Sequence, residues 1–168
     1  MLGALGEDYF GNLFLDSLRN EGINIDRLTH FADLGTGVAC PTIFTDERNN
    51  SIIIVPNANK HFNPSYIAEN ADVFSKIDLL MLQLEVPVET SFEAARRAHD
   101  AGIPVLLNPA PFKYIPDELF TLIDILIPNE VEAHQLSGIN IVDRASAEVA
   151  ARIIHDKGAK EVVITLGK

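Results

Sequence analysis

Apolar and polar positions alternate in a regular way along the second half of the chain, from about residue 78 to the end. Short apolar runs bounded by Pro, Gly, Asn or Asp are separated by longer segments in which apolar side chains recur every three or four residues. The runs predict strands at 79–83, 105–108, 123–127 and 162–164. The longer segments predict helices at 88–100 and 130–136, a third capped by Asp143, and a helical turn near 116–122. Strands separated by helices form right-handed crossovers, so the pattern predicts an α/β fold with a parallel sheet.

The start of the chain carries a different pattern, in which glycines at positions 3, 6 and 11 surround Asp8. This segment predicts a tight turn that leads into a helix with Asp8 as its N-cap. The apolar residues that follow at helical spacing are Phe10, Leu13, Phe14 and Leu18, and Gly22 ends the run. No strand is predicted before these glycines, and their spacing differs from the dinucleotide-binding fingerprint, which disfavours a dinucleotide-binding protein.

Residues 35–57 predict a β-hairpin. Two strand-like runs, 37–44 and 51–56, flank a polar turn at 46–50. Pro41 lies inside the first run, where its missing N–H suits an edge strand or a bulge. A lone hairpin is marginally stable, so we expect it to pair with strands from elsewhere. A short helix is expected after Pro64.

Polar residues follow each strand of the predicted parallel sheet. They are Glu85 after the first strand, Asn108 at the end of the second, Asn129 and Glu132 after the third, and Thr165 and Gly167 after the last. The carboxyl ends of parallel strands share one edge, which is where open α/β sheets bind ligands. Asn129 and Glu132 are three residues apart, so on a helix both can address the same ligand. The pattern therefore predicts a ligand site on this edge.

Each of these residues also has a purely structural interpretation. Asn129 suits a helix N-cap, and the helix dipole favours a carboxylate such as Glu132 in the first turn. Glu85 could be a solvated loop acid, Asn108 could stabilise the proline loop that follows it, and residues 165–167 could be an ordinary turn. One shared site is a simpler explanation than this many coincidences, but the pattern alone leaves both interpretations open.

The composition of the chain limits which kinds of partner and site are expected. The 168 residues are about one domain, and 13 Lys and Arg against 24 Asp and Glu give a net charge of −11, which disfavours nucleic acid as a partner. No apolar run is long enough to cross a bilayer, so no membrane association is expected. The single cysteine, Cys40, excludes an internal disulfide and suits a reducing cytoplasm. The five histidines lack metal-ligand spacing, and no set of residues suits a covalent nucleophile.

Seven short motifs occur along nearly the whole chain in a fixed order. They are Gly3-x-x-Gly6-x-Asp8-x-x-Gly11, Thr36-Gly37-Val38-Ala39, Asn57-Ala58-Asn59, Gln83-Leu84-Glu85, Leu107-Asn108-Pro109-Ala110-Pro111, Pro128-Asn129-Glu130-x-Glu132 and Ile164-Thr165-Leu166-Gly167. Each motif is weak alone, but the ordered set resembles the ribokinase-like (PfkB) carbohydrate kinases. The resemblance implies a three-layer α/β core with a parallel sheet, to which residues 35–57 add a partial β-lid.

The resemblance implies transfer of the ATP γ-phosphoryl group to a sugar, giving ribose 5-phosphate from ribose. Glu85 would bind a sugar hydroxyl, with Asn108 in a supporting position. Asn129 would contact the nucleotide phosphates, and Glu132 would hold Mg through water. Thr165 and Gly167 would begin the nucleotide-binding turn, and Lys168 stands where that turn continues. The resemblance also implies a monovalent cation and a homodimer formed through the lid.

A family motif that is missing from the chain leads to a further expectation. No Gly-x-Gly-Asp motif, which in the family supplies the anion hole and the catalytic base, occurs in the 168 residues. The chain thus looks like a central segment that lacks both family ends, with the base expected beyond Lys168. We expect the 168 residues alone to be inactive, because each of these two elements typically contributes about a hundredfold or more to the rate. The alternatives are a non-catalytic, truncated kinase remnant, or a family kinase that acts on another sugar or on a nucleoside.

Overall fold

The structure is a computed structural model and describes residues 1–44 and 49–167. The strands are β1 (Leu2–Gly6), β2 (Arg27–Phe31), β3 (Val38–Phe44), β4 (Asn49–Val55), β5 (Leu80–Leu82), β6 (Val105–Leu107), β7 (Ile125–Leu126) and β8 (Glu161–Val162). The α-helices are α1 (Tyr9–Asn20), α2 (Pro64–Glu69), α3 (Val88–Asp100), α4 (Asp117–Phe120), α5 (Glu130–Ser137) and α6 (Arg144–Asp156). Two 3₁₀ helices, Asn57–His61 and Ala71–Ser75, flank α2.

The second half of the chain folds as the pattern predicts. Strands β5, β6, β7 and β8 form a four-stranded parallel sheet in that order, with α3, α5 and α6 in the connections. The α/β fold class is therefore confirmed. The strands are shorter than predicted, most of all β7. At the C-terminal end of β7, Pro128 has no N–H to donate, which interrupts the ladder there. The pairing resumes as a parallel bridge between Asn129 and Thr165.

The prediction for the first residues of the chain is wrong. Residues 2–6 are not a turn but strand β1, which pairs in parallel with β2, a strand that the pattern did not predict. The turn is confined to residues 7 and 8, and α1 follows with Asp8 as its N-cap, as predicted. Glycines have low strand propensity, and pairing with β2 together with burial of Ala4 and Leu5 overrides it here.

The hairpin is confirmed as an antiparallel pair of β3 and β4, in a register that runs from Val38 opposite Val55 to Phe44 opposite Asn49. Residues 46–48 of the predicted turn lie outside the described residues, and Asn49 and Asn50 belong to β4 rather than to the turn. Pro41 lies in a two-stranded sheet, in which each strand is an edge strand, in agreement with the prediction. Within the described part of the chain, the hairpin pairs with no further strand.

The core lies where α3 packs on the parallel sheet. Ala94, Ala95 and Ala98 of α3 are buried, as are Val105 and Leu107 of β6. Burial of one such Val or Leu side chain contributes about 1.5–3 kcal/mol, so the sheet is a rigid base for the residues at its carboxyl edge. No helix in the described ranges has the length and apolar character required to cross a membrane.

Candidate functional site

The N-terminus of α5 holds Asn129 and Glu132 in a reciprocal pair of hydrogen bonds. Asn129 Oδ1 accepts from the Glu132 backbone N–H at 2.9 Å, and Glu132 Oε2 accepts from the Asn129 backbone N–H at 2.9 Å. The structural interpretation of the two residues as a helix cap is thus correct. The cap also orients the Glu132 carboxylate. Its Oε1 oxygen makes no hydrogen bond to any described residue, so one oxygen is fixed while the other can meet a ligand.

The segment after β8 lies beside this helix start. Thr165 N–H donates to the Pro128 carbonyl at 3.0 Å, and Thr165 bridges to Asn129. Gly167 N–H donates to Glu130 Oε1 at 3.1 Å. The structure therefore brings Asn129, Thr165 and Gly167 together, whereas Lys168 lies outside the described residues.

Glu130 was not among the predicted site residues, although its carboxylate holds the segment after β8. Its contact with Gly167 spans 37 positions along the chain, so local periodicity carries no signal for it. The hints in the sequence are that Glu130 belongs to the Pro128-Asn129-Glu130-x-Glu132 motif and is one of two acids in the first turn of α5. We refer to Asn129, Glu130, Glu132, Thr165 and Gly167 as the α5 edge group.

Glu85 lies elsewhere on the sheet edge, in a cleft of about 780 Å³ between the hairpin, the β1–α1 unit and the segment after β5. The walls of this cleft are mostly apolar. Its polar side chains are few, and they are Ser17, Thr36, Asn59, Gln83 and Glu85. Glu85 is exposed, so its carboxylate is available to a ligand that enters the cleft. Asn59 and Gln83 belong to motifs noted in the sequence but were not predicted as site residues.

Asn108 lies between two groups of residues, the α5 edge group and the residues of the Glu85 cleft. Its backbone N–H donates to the Leu82 carbonyl at 2.9 Å, and its side chain is exposed at the end of β6. Because β6 separates β5 from β7 and neighbouring strands are about 4.8 Å apart, the two groups are roughly 10 Å apart along the edge. The predicted residues share one edge, as expected, but they form two groups rather than a single cluster.

A hydrogen-bonded cluster around Asp8 adjoins the cleft through Thr36, which is one of its lining residues. Asp8 Oδ1 accepts from Gly11 N–H at 2.8 Å and from the Thr36 hydroxyl at 2.6 Å, and Oδ2 accepts from Thr36 N–H at 2.8 Å. The hydrogen bond from the Thr36 hydroxyl is the main cause that lowers the Asp8 pKa below its ordinary 3.8. The sequence predicted Asp8 only as an N-cap. Its link to Thr36 is also a contact between residues far apart in sequence.

The α5 edge group has the donor chemistry for a hydrated magnesium ion. In the described ranges, no three His, Cys, Asp or Glu side chains form a metal site. Magnesium that keeps several waters and binds substrate phosphates needs only one or two protein carboxylates. Glu132 supplies one carboxylate whose position is fixed, and Glu130 lies one residue after the N-cap. The residues therefore fit this ion.

The protein is thus an α/β domain with two features at the carboxyl edge of its parallel sheet. One is the α5 edge group, and the other is the mostly apolar cleft that contains Glu85 beneath the hairpin. The model of the family described as "pfkB family carbohydrate kinase" matches residues 1–168. The chain belongs to this family. The fold class and the ordered motifs had led to the same family.

Similar proteins carry related names. A ribokinase of Haemophilus influenzae is 36% identical over 166 residues, which are 99% of this chain and 54% of that protein. A deoxyribokinase of Salmonella typhi is 34% identical over 169 residues, covering 100% of this chain and 55% of that protein. The structure of Arabidopsis thaliana ribokinase complexed with ribose and ATP has a TM-score of 0.88 and 32% identity, covering 99% of this chain and 54% of that one. The chain spans about half the length of the curated relatives it matches.

Proposed function

We propose that the protein is an ATP-dependent kinase that phosphorylates ribose to ribose 5-phosphate. The observation that carries the proposal is that one edge of the parallel sheet presents two separate groups. The cleft around Glu85 is lined by few polar groups, and the α5 edge group combines an amide with two carboxylates. A phosphoryl transfer needs two such subsites side by side, because the enzyme mainly positions donor and acceptor in line.

The Glu85 cleft is assigned to the sugar. A carboxylate accepts hydrogen bonds from sugar hydroxyls, and the exposed Glu85 side chain is the one acid among the described residues that line this cleft. The apolar walls from the hairpin exclude water from the acceptor, which limits hydrolysis of ATP. In this proposal the hairpin at 35–57 is a partial lid within a family domain that spans 1–168. A homodimer formed through this lid belongs to the same proposal.

The α5 edge group is assigned to the nucleotide. Asn129 and the segment with Thr165, Gly167 and Lys168 would contact the phosphates, and Asn108 would support the edge between the two subsites. Glu132 would hold magnesium through water, with Glu130 beside it. When bound, magnesium neutralises charge on the phosphate oxygens, which reduces their repulsion from a chain whose net charge is −11. A monovalent cation remains part of the proposal, with no residue of this chain assigned to it.

No residue of this chain is assigned to proton transfer, because the 168 residues contain no Gly-x-Gly-Asp motif. The chain positions the reactants, and the base that takes the proton from the sugar hydroxyl is expected beyond Lys168. A second candidate is a kinase that prefers 2-deoxyribose. It is supported by the deoxyribokinase of Salmonella typhi, which is nearly as similar to the chain as the ribokinase is.

The test is an assay of ADP release by the protein expressed from its complete coding region. We expect release that depends on D-ribose, at about 1–100 per second, with 2-deoxy-D-ribose, D-fructose and adenosine as competing acceptors. Preference for 2-deoxyribose would select the second candidate, and no acceptance of any sugar or nucleoside would overturn both. Residues 1–168 alone are assayed alongside, and turnover by that segment at a comparable rate would contradict the placement of the base beyond Lys168.

The assignment of Glu85 has its own control. Glu85→Gln keeps the size of the side chain but weakens its hydrogen bonds to hydroxyls, so we expect the KM for the sugar to rise by about tenfold. Glu89→Gln changes an exposed acid on α3 outside the large cleft and serves as the matched control. An equal sugar KM in both variants would remove Glu85 from the sugar subsite.

A further inference from the structure

The two ends of the hairpin meet at one hydrogen-bonded junction, which consists of Asp8, Thr36 and Asn57. Thr36 lies two residues before β3 begins, and Asn57 lies two residues after β4 ends. Asp8 belongs to the turn between β1 and α1, outside the hairpin. Asp8 therefore connects the β1–α1 turn to the base of the hairpin, and the hairpin itself pairs with no further described strand.

Asp8 uses both of its carboxylate oxygens at this junction. One accepts from the Thr36 hydroxyl, the other from the Thr36 backbone N–H. Thr36 is only 7% exposed, and its hydroxyl oxygen also accepts from Gly6 N–H at 3.0 Å. A helix cap needs only the hydrogen bond from Gly11 to Asp8. The two contacts with Thr36 are therefore in excess of what α1 requires.

Asn57 ties the other end of the hairpin to the same place. Its Nδ2 donates to the Thr36 carbonyl at 3.0 Å, and the next backbone N–H, of Ala58, donates to the Gly35 carbonyl at 3.0 Å. Asn57 has φ of 44°, a left-handed conformation that is uncommon for a residue other than glycine. A backbone held in this region without glycine indicates that the surrounding contacts determine it.

The chain segments at the junction are also in close contact. A Cβ on Gly37 would lie 2.9 Å from the Pro56 carbonyl oxygen, and a Cβ on Gly6 would lie 2.2 Å from the Leu34 carbonyl oxygen. Only glycine allows these backbones to approach so closely. The base of the hairpin therefore has little freedom to tilt while the junction is intact.

The junction borders the cleft that contains Glu85. Thr36 and Val38 line the cleft from the start of the hairpin, and Val55 and Asn59 line it from the end. A shift at the junction moves these walls relative to Glu85. The α5 edge group lies on the four-stranded sheet and is not part of the hairpin sheet, so it does not move with these walls. The effect of the junction is thus confined to one of the two subsites.

We propose that Asp8, acting through Thr36 and Asn57, is a positioning residue that fixes the hairpin over the Glu85 cleft and thereby sets the affinity for the sugar and not for the nucleotide. This inference rests on the proposed function for the identity of the ligand. The contacts of the junction itself do not depend on that identity.

The variant that isolates this role is Asp8→Asn. Asparagine caps helices as well as aspartate does, so α1 keeps its N-cap. Its amide nitrogen, however, is a donor and cannot accept from Thr36 N–H while the oxygen serves Gly11 and the hydroxyl. We expect the KM for ribose to rise about tenfold, as for loss of one charge-assisted hydrogen bond, with the KM for Mg·ATP within about twofold of wild type.

Two further variants test the other residues of the junction. Asn57→Gly accepts the left-handed backbone but removes the hydrogen bond to the Thr36 carbonyl, so it should raise the ribose KM in the same direction. Thr36→Ser keeps the hydroxyl that donates to Asp8 and should raise the ribose KM less than either Asp8→Asn or Asn57→Gly. All three variants are made in the protein expressed from its complete coding region.

Amide hydrogen exchange tests the junction without any sugar. In Asp8→Asn, exchange should become faster at Val38–Cys40 and Ile52–Val55, with α5 amides unchanged. Unaltered exchange at the hairpin together with an unaltered ribose KM would overturn the inference, and so would an equal loss of affinity for sugar and nucleotide. If the wild-type protein accepts no sugar, the proposed function fails, and the exchange measurement still decides whether Asp8 fixes the hairpin.

Discussion

Helices α5 and α6 follow one another along the chain, pack against each other, and both begin with a capping box. In α5 the N-cap is Asn129 and the residue three positions later is Glu132; in α6 these positions are held by Asp143 and Ser146. Both helices are also followed by a glycine with positive φ, Gly138 after α5 and Gly158 after α6. The two helices therefore have the same kind of N-terminal cap and the same kind of residue near the C-terminus.

Their surroundings differ. Helix α5 begins right after β7, its N-cap bridges to Thr165, and Glu132 is only 6% exposed. Helix α6 begins after a loop, and the hydrogen bonds of its capping side chains stay within residues 142–146 among the described residues. At its other end, Gly158 packs on Thr121. The same local signal thus occurs at the carboxyl edge of the sheet in α5, where we propose that the nucleotide binds, and away from that edge in α6.

The largest effect is expected at the C-terminal glycines. In Gly158→Ala the alanine would have to keep the φ of 127° at this position. Its Cβ would lie 3.0–3.2 Å from atoms of Thr121, including backbone atoms. We expect loss of about 1–2 kcal/mol from the backbone conformation and about 1–3 kcal/mol from overpacking. In Gly138→Ala nothing lies within 4 Å of the new Cβ, so only the first cost applies. Urea unfolding of both variants measures the difference; equal losses would show that α6 is not the more tightly packed helix.

The next effect separates the two N-termini. Glu132→Gln preserves the capping box, since glutamine also accepts from the N-cap N–H, but removes the charge that suits magnesium. We expect the affinity for Mg·ATP to fall about 10- to 100-fold, the usual range for residues that orient a metal, with stability unchanged. Calorimetric titration with Mg·ATP, and with ATP in the presence of a chelator, checks whether the loss depends on the metal.

The matched control for Glu132→Gln is Ser146→Ala, which removes the corresponding partner from the capping box of α6. It should lower stability slightly and leave the affinity for Mg·ATP at the wild-type value. A similar change in nucleotide affinity in both variants would mean that Glu132 acts only through the helix and has no place in the site.

Replacement of the N-caps themselves has a smaller effect. Asn129→Ala should cost about 0.5–2 kcal/mol of stability, the ordinary cost of a lost N-cap, and it should also weaken Mg·ATP binding. Asp143→Ala should lose stability for the same reason and leave nucleotide binding alone. Thermal unfolding with and without Mg·ATP measures both properties in one experiment. If the ligand stabilises the two variants equally, the α5 edge group does not bind the nucleotide.

Much of the fold could be predicted, because the strands and helices after residue 78 are bounded by Pro and Gly and have strong periodicity. The exception was β1 with β2. Residues 2–6 contain two glycines and 27–31 contain polar side chains, so neither run has the composition of a strand. Their strand conformation comes from pairing with each other, and cross-strand pairing outweighs local preference.

The candidate site could be predicted only in part, for the same reason. The proximity of Asn129 and Glu132 follows from helical spacing and needs no tertiary information. The contacts from Glu130 to Gly167 and from Asp8 to Thr36 join residues 37 and 28 positions apart. They depend on how strands are ordered and on where the hairpin joins the fold. A pattern along the chain indicates which residues share an edge, but not how they divide into groups along it.

The smallest effect concerns the acid in the cap of α6. Hydrogen bonds from the Ser146 backbone N–H and hydroxyl lower the Asp143 pKa below its ordinary 3.8. Because the pKa is lower in the folded protein, this contribution to stability is present above pH 3.8 and is lost as the pH falls through the folded value. The corresponding N-cap residue of α5 is Asn129, whose amide side chain does not titrate. Asp143→Asn should therefore reduce the slope of unfolding free energy against pH below 3.8, with near wild-type stability at neutral pH. The slope will not vanish, since hydrogen bonds also lower the pKa of Asp8 and, against the opposing effect of burial, that of Asp124. Urea unfolding at a series of acidic pH values measures the slope, and an identical slope in wild type and Asp143→Asn would show that the Asp143 cap does not couple to folding.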